Sequence, residues 1–363
     1  MFVLPNLAPG GAERSIINLA RHLSPDYDVH IALINFGGLL LREVPEGVSL
    51  HDLRGKTGLV FQLTSLVNKI RPRVLMSTIV DVSLIILGLR KLFPREVKIM
   101  IREAVMPSTN FSEKRFPFFW EYLYRNLYRR ADHVVVLSNR AKQRLIEVTG
   151  VDEGRITVIY NAVSDERIGY LSRPTPNRKG DPISLVSVGR LEYQKGYDLL
   201  VECFPYVIEK YPNLRLTIYG EGREKRTLQR QIERLGLGDA IALAGYVDNP
   251  LDAVQQADLF VMSSRYEGMS NAMLEALCCG TPVLMANNPE NSADELIIDG
   301  KNGFLVPTCS ADAIEHGLLR ALGECRKLDR GWIRRDTRHR FSFERYLQSY
   351  TELIERACER EPG

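Results

Sequence analysis

Residues 266–277 read Tyr266-Glu267-Gly268-Met269-Ser270-Asn271-Ala272-Met273-Leu274-Glu275-Ala276-Leu277, with two carboxylates, seven residues between them, straddling the start of a predicted helix. The apolar run Ala257-Asp258-Leu259-Phe260-Val261-Met262 before it reads as a strand. Gly280 and Pro282 stop the helix, and Val283-Leu284-Met285 begins another strand. Glu267 thus falls at the carboxyl end of a parallel strand, where ligands bind in open α/β sheets. The amides of Gly268, Met269, Ser270 and Asn271 open the helix, and a helix N-terminus attracts an anion. Glu275, two turns on, can face the same crevice. A phosphate site between two hydroxyl-accepting carboxylates suits a sugar nucleotide.

Outward from this stretch, strands and amphipathic helices alternate along the whole chain, the signature of doubly wound parallel sheets. In the first half Phe2 to Leu4 leads into a helix from about Gly11 to Leu23, with Ile16, Ile17, Ala20 and Leu23 at helical spacing. Strands follow at Val29 to Asn35, Val74 to Thr78, Lys98 to Ile101, His133 to Leu137 and Ile156 to Asn161. The polar, breaker-rich stretch Ser172-Arg173-Pro174-Thr175-Pro176-Asn177-Arg178-Lys179-Gly180-Asp181-Pro182 reads as a linker, and a second series begins at Ile183. The division is therefore 1–165, a linker at 166–182, a second domain at 183–338, and a terminal helix at 339–363. In that helix Phe343, Tyr346, Leu347, Tyr350, Leu353, Ile354 and Ala357 form one apolar stripe, which must bury itself against something.

The length of 363 residues suits two domains, and 45% hydrophobic content supplies two cores. A net charge of +3, from 48 basic and 45 acidic residues, is too even for a nucleic-acid binder. No apolar run approaches the roughly 20 residues of a membrane span. Phe2-Val3-Leu4 is too short for a signal sequence and reads as a first strand. All six cysteines lie in the second half without a C-x-x-C pair, which favours buried thiols in a reducing cytosol over disulfides or zinc.

Three further motifs accompany the opening stretch, in order: Pro9-Gly10-Gly11-Ala12-Glu13-Arg14 after the first strand, Ser187-Val188-Gly189-Arg190-Leu191-Glu192-Tyr193-Gln194-Lys195-Gly196 opening the second half, and Tyr219-Gly220-Glu221-Gly222. Together they resemble the retaining glycosyltransferases of family four. The resemblance covers nearly the whole chain and is most specific from about Val186 to Pro307. It implies a GT-B fold, two Rossmann-like domains facing a central cleft, with the last helix returning to the first domain. The implied reaction moves a sugar from a nucleoside-diphosphate sugar, a UDP-sugar being the expected donor, to a hydroxyl of a lipid-linked or surface-polysaccharide precursor. Acceptor goes to the first domain and donor to the second.

The resemblance assigns Arg190 and Lys195 to the donor diphosphate, chemistry that suits a planar fork and a compact charge. It places Glu267 against donor-sugar hydroxyls and Glu275 against the ribose. Gly10 and Gly11 would let backbone amides approach the donor. Gly220, Gly222, Tyr246 and Val247 would wall the nucleotide pocket. With the leaving group neutralised by two cations and a helix terminus, neither metal nor cofactor is expected. Asp26-Tyr27-Asp28 spells the D-x-D of metal-dependent transferases but stands at the wrong end of its strand and reads as a turn.

One departure stands out. Where many family members carry a histidine at a first-domain strand end, this chain reads Ile101-Arg102-Glu103-Ala104. Arg102 and Glu103 are read as acceptor or donor contacts, or as a pair with each other. The segment 111–130 is also unusual: five cations and seven aromatics fall within residues 114–130. It reads either as an interfacial foot resting on an anionic membrane or as a helix with core aromatics. The expected location is cytoplasmic, peripheral on the inner membrane face if the foot is real. Two other functions fit the same motifs: a catalytically silent sugar-nucleotide-binding scaffold, and a GT-B sugar-nucleotide epimerase.

Overall fold

A computed structural model describes residues 1–8, 10–55, 57–106, 116–163 and 182–359. The chain divides into two compact units, Met1–Asn161 with Glu344–Gly363, and Ala162–Phe343. The division falls at Asn161, ahead of residue 165, and the linker at 166–182 lies outside the described residues except for Pro182.

The first unit holds seven strands: β1 (Phe2–Leu4), β2 (Val29–Leu33), β3 (Val48–Asp52), β4 (Val74–Ser77), β5 (Lys98–Glu103), β6 (His133–Val136) and β7 (Ile156–Val158). Their order is β3-β2-β1-β4-β5-β6-β7, with every pairing parallel. Central strands are apolar on both faces, as a helix-covered parallel sheet requires; Val134, Val135 and Val136 have no exposure. The apolar runs do not announce β3. Val48-Ser49-Leu50-His51-Asp52 lies at the sheet edge, buries only Val48, and so alternates with polar residues. The helix Phe343–Cys358 buries Tyr346, Tyr350, Leu353 and Ile354. Residues from Glu344 onward belong to this unit, and Arg73 Nη1 donates to Cys358 O at 3.0 Å.

The second unit repeats the winding with β8 (Ser184–Val188), β9 (Arg215–Tyr219), β10 (Ile241–Gly245), β11 (Leu259–Met262), β12 (Val283–Ala286) and β13 (Gly303–Val306). The order is β10-β9-β8-β11-β12-β13, again all parallel. Phe204, Phe260 and Phe304 are fully buried in it. Chain direction across the sheet reverses between β8 and β11, and the ends of two strands that part in this way leave a crevice at their carboxyl side.

Candidate active site

The loops leaving β8 and β11 carry Arg190, Lys195 and Glu267, so all three stand at the switch point of the second sheet. Past β8 the chain turns at Gly189, where a Cβ would lie 2.9 Å from Tyr197 Oη and 3.2 Å from Lys195 Cε. A 3-10 turn, Tyr193–Lys195, then delivers the lysine. Gly196 follows at φ 62°, and a Cβ there would come within 2.0 Å of Ser263 O. Both the left-handed backbone and the close approach demand glycine. Ser263 Oγ donates back to Lys195 O at 2.9 Å, fixing the lysine backbone to the end of β11.

Glu267 is held from its own side. Its amide donates to Glu290 O at 3.0 Å, and Ser264 Oγ donates to Glu267 Oε2 at 3.3 Å. Lys195 Nζ donates to the same oxygen at 2.5 Å, with both side chains only 13% exposed. Arg190 is exposed beside them, its Nη2 3.5 Å from Gln194 Oε1, while Gln194 Nε2 donates to Tyr266 O at 3.1 Å. Burial pushes the Tyr197 phenol well up, and the Glu267 charge adds to the shift. Tyr197 therefore stays a neutral partner of Ser187 Oγ, at 3.3 Å.

The helix Asn271–Cys278 begins four residues beyond Glu267, and the side chain of its N-cap, Ser270, makes no capping bond. Gly268, Met269 and Ser270 are buried, and Glu275 sits half-buried along the helix. The positive end of the helix dipole thus follows Glu267 by four positions in the chain.

Gly220 and Gly222 lie in the loop after β9, and Leu191 N donates to Glu221 O at 2.9 Å, joining this loop to the one after β8. Gly220 N donates to Gly245 O at 2.8 Å, which brings in the β10 end and, just past it, exposed Tyr246 and Val247. Sequence reasoning overlooks Arg265. Its guanidinium makes two bonds to Asp198, at 2.7 and 2.6 Å, and lies 4.0 Å from the Tyr193 ring centroid. It buttresses the turn that carries Lys195. Only its place directly before Tyr266-Glu267 could have drawn notice.

In the first unit, Gly10 is the N-cap and Gly11 the first residue of the helix Gly11–Leu23. Arg102 and Glu103 end β5 with exposures of 1% and 2%. They do not pair with each other. Arg102 donates to Tyr350 Oη, Thr78 Oγ1 and Asn161 Oδ1 at 3.0, 2.8 and 2.6 Å. Glu103 accepts from Tyr124 and Tyr128 at 3.0 and 2.5 Å, and burial, reinforced by that carboxylate, raises both phenols. The same bonds resolve part of the segment 111–130, of which 111–115 lie outside the described residues. Tyr124 and Tyr128 are core, whereas Phe116, Phe118, Phe119 and Tyr122 are exposed, Phe118 at 85%.

Two Rossmann-ordered parallel sheets in one chain, the second with cations and a carboxylate gathered at its switch point, define a GT-B glycosyltransferase. Residues 9–167 match the family described as Glycosyltransferase Family 4, and residues 171–338 match Glycosyl transferases group 1. The chain belongs to this glycosyltransferase family, and as a member it uses a nucleotide sugar. One relative is the N-acetylgalactosamine-N,N'-diacetylbacillosaminyl-diphospho-undecaprenol 4-alpha-N-acetylgalactosaminyltransferase of Campylobacter jejuni. It is 27% identical over 327 residues, 86% of this chain and 87% of the relative. Mannosylfructose-phosphate synthase of Agrobacterium fabrum is 33% identical over 199 residues, covering 49% of this chain and 44% of that one. Among solved structures, Anabaena Alr3699/HepE in complex with UDP-glucose superposes with a TM-score of 0.79 at 19% identity, covering 98% of each chain. At that identity it speaks for the fold alone.

Proposed function

We propose that this protein transfers a sugar with retention of configuration, without a metal, from a UDP-sugar to a hydroxyl of a lipid-linked glycan precursor. The observation that carries the reading is the Lys195–Glu267 pair at the β8–β11 switch point, with Arg190 and the start of the helix Asn271–Cys278 alongside. Arg190, Lys195 and the amides from Gly268 to Asn271 hold the diphosphate, and Glu267 accepts from the sugar hydroxyls. Glu275 serves the ribose, and the β9 and β10 loops wall the nucleotide. In the transfer step the bond from the anomeric carbon to the diphosphate breaks, and the acceptor oxygen bonds to that carbon on the same face. The acceptor proton passes to the departing phosphate oxygen. Negative charge grows on the leaving group, and the two cations stabilise it most at that moment.

The UDP and UDP-glucose in the Anabaena complexes support the choice of donor, and the diphospho-undecaprenol in the Campylobacter name supports a lipid-linked acceptor. For that acceptor the exposed face of the helix Pro117–Leu127 is suited to an anionic membrane surface. Phe118, Tyr122 and Arg125 share one stripe, and exposed Arg129 and Arg130 follow. No helix among the described residues is long and apolar enough to cross a membrane.

A thermal-shift screen over UDP-, GDP- and ADP-sugars tests the donor, the largest shift being expected from a UDP-sugar. The anomeric coupling in the product's NMR spectrum tests retention. Activity should persist in EDTA; total loss on chelation with recovery in manganese would overturn the metal-free step and bring Asp26 and Asp28 back into consideration.

A further inference from the structure

The donor-site reading sends Lys195 to the diphosphate and Glu267 to the sugar, yet the structure bonds these two groups to each other at 2.5 Å. Their backbones are held independently, Lys195 by Ser263 Oγ and Glu267 by Glu290 O, so partners can be exchanged by side-chain rotation alone. At 13% exposure the pair is weakly screened by solvent, and a carboxylate deprived of its cation there is costly. A nucleoside diphosphate that takes Lys195 leaves Glu267 with Ser264 Oγ but no cation, beside a new anion. A nucleotide sugar also takes Lys195, but its hydroxyls give Glu267 donors in return.

Resting on that reading of the site, we infer that Glu267 competes with the diphosphate for Lys195, and that this competition makes the site prefer the sugar-bearing donor over the spent nucleotide. Once the sugar has left, Glu267 loses its hydroxyl partners and recaptures Lys195. The diphosphate then loses a cation at the moment it must depart. One ion pair so serves donor selectivity and product release.

The test is calorimetric titration of UDP into the wild type, Glu267→Gln, Lys195→Ala and the double variant, with melting curves to confirm that each is folded. Glu267→Ala is a second way to remove the competitor if the Gln variant does not fold. UDP should bind Glu267→Gln roughly tenfold more tightly than wild type, the scale of one charge-assisted bond. It should inhibit any residual transfer at correspondingly lower concentration. In the Lys195→Ala background the same change should bring no gain. Unchanged UDP affinity in Glu267→Gln, with wild type binding UDP, would refute the competition and leave the donor site standing. An equal gain with and without Lys195 would refute it too, since it would reveal plain repulsion between carboxylate and phosphate. Failure of every form to bind UDP would take down the donor reading and this inference together.

Discussion

Arg102 Nε donates to Tyr350 Oη at 3.0 Å, joining the end of β5 to a helix 248 positions later. The guanidinium is buried, and its Thr78 and Asn161 bonds draw in the ends of β4 and β7. A charge so placed is stabilised by an acceptor on each of its three nitrogens. Arg102 therefore fastens the terminal helix to the carboxyl end of the first sheet.

Tyr350→Phe removes one acceptor from that buried cation and should cost about 2 kcal/mol. The urea midpoint measures this, and UDP binding to the second unit should be unchanged. An unaltered midpoint would show that the bond contributes nothing.

Gly196→Ala must place a Cβ against Ser263 O in a left-handed backbone, so Lys195 shifts and UDP binding should weaken at least about tenfold. Gly236→Ala is the control. Its φ of 67° is similar, nothing lies within 4 Å, and only a stability loss of about 1 kcal/mol is expected. Equal UDP affinity in the two variants would detach the turn from the site.

Glu267→Ala should lower turnover by about a hundredfold or more, measured below the melting temperature of the variant, which falls because Lys195 loses its partner at a site only 13% exposed. Arg190→Ala should weaken donor binding as well as slow transfer. Wild-type rates in the first variant would remove Glu267 from the reaction.

His133 is half-buried, its Nε2 2.8 Å from Thr157 Oγ1, and burial, with the Arg356 charge, lowers its pKa from the ordinary 6.5. The unfolded chain then takes up the proton first as pH falls through 6.5, so stability should drop with acidification below that value. His51 is shifted in the same direction. Melting temperatures between neutral and mildly acid pH should show the decline, and His133→Asn should make it shallower. A slope unaffected by the substitution would assign the effect elsewhere.

Vesicles containing anionic phospholipid should bind the protein and release it as salt rises, since exposed charge is screened. Phe118→Ser combined with Arg125→Glu and Arg130→Glu should abolish flotation without changing UDP affinity. Lys114 and Arg115 belong to the same charged stretch but lie outside the described residues. Equal flotation of the triple variant would rule out this face as the membrane contact.

The sequence by itself determined the two doubly wound sheets, because helices and buried strands write their periods locally, in Ile16-Ile17-Ala20-Leu23 as in Val134-Val135-Val136. It also placed Glu267 at a strand end, because the 266–277 stretch carries a local helix-start signal, whereas Arg190 and Lys195 were marked by their motif. Tertiary structure alone decided that Lys195 and Glu267, 72 positions apart, share one bond, and that Arg265 braces the turn through Asp198. It also committed Arg102 and Glu103 to the interior and divided the 116–130 aromatics between core and surface. Edge strand β3 escaped notice for a related reason, since one-sided burial erases the apolar run that marks its neighbours. Local spacing records which face of an element is apolar, but the partner of a buried charge is chosen by whatever distant chain folds against it.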